Sequence, residues 1–271
     1  MHYVGLSRVR NSSSLHILNL NEKKIKVSEK VANEMERLRM EACLVPTVSL
    51  KPSPNATTII FQNVRSLHLH IKDVRSDYNF KKAHVNIFVE TRLCASDNDE
   101  EYSIEKFNIY RNDFNQSRTR SSYGSVMYVA PSLPIAQTPQ RFNLNIVEIT
   151  IMVTDTPIQH LHIVGVYRSK SLVKISELLN ALKNLHETIL SNATPTCLLG
   201  DFNVNLLEDC SETNTLSGYL IQEKGYTQLI KQPTTDYHTL LDHIYTNVPD
   251  IVMLSGALES YYSDHKPIFV H

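Results

Sequence analysis

The stretch Cys197-Leu198-Leu199-Gly200-Asp201-Phe202-Asn203 carries the clearest indication of the fold. Thr196 to Leu199 is typical of a short buried strand, and polar residues begin directly where it ends. A lone Asn or Asp after a strand is usually a turn residue, so this stretch needs support from elsewhere in the chain. Strand ends are also where loops on a rigid scaffold converge to form sites.

The same arrangement recurs at other apolar segments of the chain. Asn63 follows Ile59 to Phe61, Glu90 follows Ile87 to Val89, Tyr167 and Arg168 follow Ile163 to Val166, Asp242-His243 lies within Leu240 to Tyr245, and Asp264-His265 precedes Ile268 to Val270. Each polar residue has an ordinary explanation in turn geometry or packing. Together they supply carboxylates for a hard cation, amides to orient phosphate oxygens, and a histidine with a candidate Asp partner.

Short apolar strands with few helices characterise the chain after about residue 57. The predicted strands are Thr57 to Phe61, Val85 to Val89, Val126 to Val129, Ile146 to Val153, His160 to Tyr167, Thr196 to Leu199, Leu240 to Tyr245, Ile251 to Leu254 and Ile268 to Val270. The predicted helices are Leu67 to Phe80 and Leu172 to Leu190. This pattern predicts an α/β fold in which two packed sheets are flanked by helices.

Composition is ordinary for a globular protein. Of 271 residues, 42% are hydrophobic and 20% are charged, and the formal net charge is -1. Residues through Lys51 carry nine Lys or Arg against five Asp or Glu, whereas the remainder carries 18 against 23. An acidic domain of this kind is compatible with cutting nucleic acid, because a bound divalent cation neutralises clustered carboxylates and the phosphate together.

The four cysteines lack paired CxxC spacing, which argues against a zinc ribbon and a disulfide framework and favours a reducing compartment. No apolar run approaches the roughly 18 residues needed to span a bilayer, and the N-terminus lacks the pattern of a signal peptide. We therefore expect a nuclear or otherwise intracellular protein with no membrane partner.

The polar strand ends resemble, in order, the motifs of the endonuclease/exonuclease/phosphatase family, which includes DNase I and the apurinic/apyrimidinic endonucleases. The matching stretches are Phe61 to Leu67, Val89 to Thr91, Gly165 to Arg168, Leu199 to Asn203, Leu241 to Ile244 and Ser263 to Pro267. They cover the chain from about residue 57 to the end. The resemblance implies a four-layered α/β sandwich of two mixed sheets, with the site at the top of both.

The resemblance also implies a role for each motif residue. It places Asn63, Glu90 and Asp264 at a metal, which is Mg²⁺ with Mn²⁺ as an alternative; Tyr167 and Asn203 orient the scissile phosphate, Asp201 holds the attacking water or the leaving group, and Asp242 aligns His265. Either Asp201 or His265 is the general base, and Asp201 is favoured. Candidate phosphate contacts are Arg118, Arg120, Arg168 and Lys170, although solvated loop charge is the simpler explanation for any one of them.

One departure from the family concerns the metal. Some members carry a carboxylate two residues after the motif asparagine, and this chain has Arg65 there. The loss of a ligand favours one metal over two.

The N-terminal region is interpreted as a separate unit, residues 1–45, joined by a linker, residues 46–56, to the domain of residues 57–271. Tyr3 to Arg10 resembles the last conserved motif of Pif-type DNA helicases, in which Arg8 would be the arginine finger. The chain contains no Gly-Lys dipeptide and therefore no Walker A loop, so a helicase remnant contributes context and not ATP hydrolysis. A helicase followed by such a nuclease resembles Helitron-like transposons, and the chain is interpreted as the C-terminal piece of such an element or as a gene model truncated at its start.

Three hypotheses about function remain at this point. The first is a DNA endonuclease of a transposable element, and the second is another phosphoesterase of the same fold that acts on RNA or on an inositol or lipid phosphate. The third is a catalytically decayed DNA-binding domain, against which the intact set of polar residues argues.

Overall fold

The computed structural model describes residue 50 and the ranges 56–113, 123–141, 147–155, 160–190 and 194–271. All of these residues belong to one unit of the chain. The predicted N-terminal unit 1–45, nearly all of the linker 46–56, and Arg8, Arg118 and Arg120 lie outside the described residues.

Twelve strands form two six-stranded sheets in the described part of the chain. They are β1 (Ile59–Asn63), β2 (Val85–Val89), β3 (Asn108–Asn112), β4 (Ser125–Val129), β5 (Ile135–Arg141), β6 (Glu148–Asp155), β7 (His160–Tyr167), β8 (Thr196–Asp201), β9 (Thr227–Gln228), β10 (Asp242–Thr246), β11 (Ser255–Ala257) and β12 (Ile268–Val270). The first sheet has the order β11-β12-β1-β2-β4-β3, and the second has the order β5-β6-β7-β8-β10-β9. Pairs β1–β2 and β7–β8 are parallel and the others are antiparallel, so both sheets are mixed.

The two sheets face each other across a shared apolar core. On β1, Ile59 and Phe61 belong to this core, whereas Ile60 packs on the opposite face of the sheet. On β8, Leu199 belongs to the shared core and Leu198 to the opposite face. Because both faces of these strands are buried, their sequences are continuous apolar runs without polar alternation.

Helices cover the outer faces of both sheets. They are α1 (Leu67–Ser76), α2 (Tyr78–Lys82), α3 (Asp99–Tyr102), α4 (Ile175–Thr188) and α5 (Ser211–Ser217), the last continuing into a π-helical turn, Gly218–Glu223. Helix α1 begins at Ser66, whose side chain accepts a hydrogen bond from the backbone N–H of Leu69 at 3.3 Å. Its buried face packs on the first sheet.

Helix α4 packs on the second sheet through residues at helical spacing. Leu178, Ala181, Leu182 and Leu185 are all buried, which places one stripe of the helix against the sheet. The order helix, sheet, sheet, helix confirms the predicted four-layered α/β sandwich. No helix among the described residues has the length and apolar character needed to cross a membrane.

Two predicted elements differ in the structure. The predicted helix Leu67 to Phe80 breaks at Asp77, whose carboxylate accepts the backbone N–H of Asn79 and caps a second helix. The predicted strand Ile251 to Leu254 is wrong. Pro249 begins a 3₁₀ turn there, and the short strand β11 follows it.

Candidate active site

The polar strand ends meet at one end of the two sheets. Strands β1 and β2 are parallel, as are β7 and β8, so the carboxyl ends of each pair lie side by side. Strand β10 runs antiparallel to β8, and its first residue, Asp242, lies opposite Asp201 at the end of β8. The topology therefore gathers residues that are far apart in sequence.

The side chain of Asn63 connects the two sheets at this end. Its amide nitrogen donates to Glu90 Oε1 at 2.8 Å and to Asp201 Oδ2 at 3.0 Å. Its oxygen accepts the backbone N–H of Arg65 at 3.0 Å. Asn63, Glu90 and Asp201 are all buried, so each hydrogen bond acts in a medium of low polarity.

Tyr167 belongs to the same network. Its hydroxyl donates to Glu90 Oε1 at 3.1 Å. Burial, with help from the Glu90 and Asp201 carboxylates, raises the pKa of Tyr167 far above its usual value. The phenol is therefore a hydrogen-bond donor at every physiological pH.

Asp201 and Asn203 are fixed by the turn that follows β8. The backbone N–H of Asn203 donates to Asp201 Oδ1 at 3.0 Å, and the Asn203 amide donates to the carbonyl oxygen of Arg168 at 2.9 Å. Burial raises the pKa of Asp201, and the neighbouring Asp242 carboxylate raises it further. The Asp201 carboxylate therefore holds a proton more readily than an exposed aspartate does.

Asp242 and His265 form a buried pair beside Asp201. His265 Nδ1 lies 2.9 Å from Asp242 Oδ2 and 3.2 Å from Oδ1. Burial opposes the charged imidazole, but the Asp242 carboxylate outweighs this effect and raises the pKa of His265 to about 10. One ligand atom each from Asp201, Asp242 and His265 falls within 4.8 Å of the others, which makes this a buried Asp-Asp-His cluster.

Backbone conformation at the site is unusual. Arg65, Glu90 and Asn203 have φ angles of 57°, 52° and 51°, in the left-handed region that non-glycine residues rarely adopt. Each lies within two residues of the end of a strand that leads into the site. Such conformations persist only where surrounding contacts hold them, and they concentrate at functional sites.

Asp264 pairs with Arg65 in this structure. Arg65 Nε and Nη2 donate to the two carboxylate oxygens of Asp264, each at 2.8 Å. Both Asp264 oxygens are therefore engaged by a guanidinium, and the predicted role of Asp264 beside a metal stays a prediction.

The other predicted phosphate contacts have different outcomes. Arg168 is 1% exposed, and its guanidinium bonds to the carbonyl oxygen of Val173 and to Glu212. The charge of Arg168 is thus buried and already paired in this structure, and its predicted contact with phosphate stays a prediction. Lys170 is exposed, as a phosphate contact requires.

The donor set fits a hard divalent cation at Glu90. The hydrogen bonds of the described residues to this carboxylate all fall on Oε1, so Oε2 keeps its lone pairs. Carboxylate and amide oxygens are the ligands that Mg²⁺ prefers, and a cation there would balance the buried carboxylates of Glu90, Asp201 and Asp242. The Asp-Asp-His cluster suits Mg²⁺ less well, because its histidine nitrogen is already paired with Asp242.

Sequence reasoning missed Glu148, a buried carboxylate behind Tyr167. The two residues lie opposite each other on β6 and β7. Glu148 Oε1 accepts the backbone N–H of Gly124 at 2.9 Å, while Oε2 has no hydrogen-bond partner among the residues that the structure describes. Burial raises the pKa of Glu148 to about 7. A charged residue at the start of an apolar alternating strand was the signal in the sequence.

Comparisons with known proteins bear on the fold. No protein-family model matches the chain, and no curated protein is significantly similar to it in sequence. Among solved structures, the endonuclease domain of TRAS1, a telomere-specific non-LTR retrotransposon, matches with a TM-score of 0.63 at 16% identity, over 79% of this chain and 96% of that one.

Two further solved structures extend this likeness. An endonuclease/exonuclease/phosphatase family protein from Leptotrichia buccalis has a TM-score of 0.58 at 12% identity, over 80% of this chain and 99% of that one. A mannosyl-6-phosphatase from Bacteroides thetaiotaomicron has a TM-score of 0.57 at 11% identity, over 80% and 99%. At these identities the likeness establishes the fold, which is that of the endonuclease/exonuclease/phosphatase proteins.

Proposed function

We propose that this chain is a divalent-cation-dependent phosphodiesterase that cuts DNA and derives from a transposable element. One observation carries the proposal: at the end of two sheets, the hydrogen-bonded set Asn63, Glu90 and Asp201 lies beside the buried pair Asp242–His265, with ligand atoms of Asp201, Asp242 and His265 within 4.8 Å of one another. A stable core does not need such a network, because unpaired or like-charged buried groups cost free energy.

Glu90 and Asn63 are the residues that would hold Mg²⁺ or Mn²⁺. The cation would neutralise charge on the phosphoryl oxygens, which is the chief requirement of phosphodiester hydrolysis apart from positioning. Clustered carboxylates beside a phosphodiester make such a cation necessary, since the bare site would repel the substrate.

The pair Asp242–His265 and the neighbouring Asp201 divide the proton chemistry between them. Because the pKa of His265 is raised to about 10, its imidazole is charged at pH 7 and donates a hydrogen bond to a non-bridging phosphate oxygen. Asp201, whose pKa is raised by burial, then accepts the proton of the attacking water. The water oxygen bonds to phosphorus as the bond to the leaving oxygen breaks on the opposite side; the leaving oxygen keeps the electron pair of that bond and takes a proton from solvent water.

Tyr167 and Asn203 position the phosphate in this scheme. The Tyr167 hydroxyl lies at the buried side of the site, where it donates to Glu90. Asn203 lies at the more open side, where the Arg168 carbonyl and Asp201 hold it. Lys170 follows on the exposed loop and is a candidate contact to a flanking phosphate.

The choice of DNA rests on analogy of fold and therefore needs a direct test. TRAS1 supports it, since that protein is an endonuclease of a retrotransposon. The mannosyl-6-phosphatase has the same fold, so a phosphomonoesterase is the competing function.

The interpretation of the N-terminal segment as a helicase remnant would be lost if genomic sequence upstream of Met1 held no helicase-coding frame.

A plasmid-nicking assay with the full chain tests the proposal. We expect nicking with Mg²⁺ or Mn²⁺, none with EDTA, and recovery when the cation is restored. Parallel reactions with RNA and with a phosphoinositide decide the substrate class. Retention of DNA without cleavage, and without any effect of EDTA, would identify a decayed binding domain.

A further inference from the structure

Arg65 occupies a fixed turn at the edge of the candidate active site. It follows Asn63 by two residues, and its backbone N–H donates to the Asn63 side-chain oxygen at 3.0 Å. Its φ of 57° costs an L-residue on the order of 1 kcal/mol. The hydrogen bond to Asn63 therefore fixes the backbone position from which the Arg65 side chain extends.

The guanidinium of Arg65 is charged and lies among the site carboxylates. Partial burial opposes its charge, but Asp264, Glu90 and Asp201 favour it and raise the pKa of Arg65. Asp264 takes two of the guanidinium nitrogens, Nε and Nη2, in parallel hydrogen bonds of 2.8 Å. This bidentate geometry is the one in which Arg binds two oxygens of a phosphate.

The Arg65–Asp264 pair is only partly buried, with side-chain exposures of 45% and 25%. Pairs open to solvent contribute about 0–1 kcal/mol to stability. A phosphate group offers Arg65 the same two-oxygen contact with at least equal charge, so it can displace Asp264 at little cost. The pair is thus strong enough to order both side chains and weak enough to open.

We propose that Arg65 is a phosphate-binding residue whose guanidinium is paired with Asp264 in the free protein. Replacement of Asp264 by phosphate at Arg65 would couple substrate binding to cation binding. Phosphate binds the Arg65 guanidinium and displaces the Asp264 carboxylate. The released carboxylate becomes an additional oxygen ligand for the cation at Glu90. This inference deepens the proposed function and rests on it for the identity of the substrate.

The coupling is reciprocal by thermodynamic linkage. If phosphate raises the affinity for the cation by some factor, the cation raises the affinity for phosphate by the same factor. A cation alone meets Asp264 already paired, and a phosphate alone meets Arg65 already paired. The site is therefore expected to bind the two ligands together and each one poorly by itself.

Equilibrium binding of Mn²⁺ to the full chain tests the proposal without any cleavage. Mn²⁺ affinity is measured by electron paramagnetic resonance with and without dimethyl phosphate, a diester that chelates metal weakly. For the wild type we expect dimethyl phosphate to tighten Mn²⁺ binding by about fivefold or more. Arg65→Gln should bind Mn²⁺ alone more tightly than the wild type and should lose the response to dimethyl phosphate.

A second background separates ligand exchange from simple charge removal. Deleting a positive charge favours any nearby cation, so Arg65→Gln is also measured together with Asp264→Asn. If released Asp264 is the added ligand, the gain disappears in the double variant. A gain that persists there, or a wild type that shows no coupling, overturns the proposal.

Lys266→Gln is the matched control. Lys266 also pairs with a carboxylate, Glu259, at 3.1 Å, and it follows Asp264 by two residues. Its substitution removes an equal charge nearby but frees no carboxylate of the site, so any rise in Mn²⁺ affinity measures charge removal alone, and the coupling to dimethyl phosphate should be unchanged. Coupling in a protein that nicks no DNA would remove the proposed function and leave this inference standing, whereas nicking without coupling would do the reverse.

Discussion

His265 Nδ1 lies 2.9 Å from Asp242 Oδ2, and the two residues are 3% and 0% exposed. The contact fixes which ring nitrogen faces Asp242 and leaves Nε2 for the proposed contact with a phosphate oxygen. Because the pair is excluded from water, the carboxylate controls the protonation of the imidazole more strongly than it could at a surface.

Asp242→Asn should leave His265 neutral at pH 7. Burial lowers the pKa of His265, and the Asp242 carboxylate, which raises it most, is gone, so only the weaker effect of Asp201 remains. We expect cleavage to fall by about two to four orders of magnitude. Proton titration of His265 by NMR checks the assignment, and an unchanged His265 pKa in the variant would contradict it.

The same variant should change how stability depends on pH. The folded-state pKa of His265 is raised above its ordinary value of 6.5, so the pair's stabilisation is complete below pH 6.5 and is lost as pH rises towards about 10. Urea unfolding between pH 6.5 and 10 should show this loss in the wild type. Asp242→Asn should lack that component of the slope.

Asp201→Asn should abolish catalysis and keep the fold. The amide preserves the shape, loses one hydrogen bond with Asn63 at a cost of about 1 kcal/mol, and removes the cost of a buried charge. We expect nicking to fall by about two to four orders of magnitude with a nearly unchanged melting temperature. Rates close to the wild-type value would show that Asp201 is not the base.

Glu148→Gln should make the protein more stable at alkaline pH. Burial raises the folded-state pKa of Glu148 from 4.5 to about 7, so the wild type loses stability as pH rises from about 4.5 to 7. The variant lacks this loss, which amounts to about 3 kcal/mol over that window. Urea midpoints at pH 4.5 and pH 8 measure it; equal shifts at both pH values would be inconsistent with a titrating Glu148.

Arg168→Leu should change the stability of the protein and Lys170→Ala should change its DNA binding, although the two residues are close in sequence. Arg168 joins Glu212 to the loop after β8, so its loss should cost about 3 kcal/mol of stability. Lys170 is exposed, so its loss should leave stability unchanged and lower the salt dependence of DNA binding by about one unit of slope. Denaturant unfolding and salt titrations compare the two, and a stable Arg168→Leu protein would show that the pair is dispensable.

Much of the fold follows from its buried strands. Val85 to Val89 and His160 to Tyr167 were predicted with their observed bounds, because both segments are short and rich in β-branched residues, which favours strands over helices. Strands β3 and β5 were not predicted. They lie at sheet edges and present exposed polar residues, so their pairing depends on neighbours and not on their own composition.

The candidate site was predictable in its members and less so in its contacts. Polar residues at strand ends identified Asn63, Glu90, Asp201 and His265, which the structure brings together. The burial of Arg168 was not predictable. The sequence around an arginine at a strand end does not show whether a distant carboxylate, here Glu212, will pair with it. Pairings of this kind are set by tertiary structure.

Strand β1 has β12 as one of its two neighbours, with Ile59 opposite Val270. Translation produces Asn63 on β1 long before it produces His265 and β12. Until β12 is made, the edge of β1 that pairs with it has no partner strand. The candidate site is therefore incomplete in a half-made chain, and the proposed cutting activity has to wait until His265 and β12 have been synthesised.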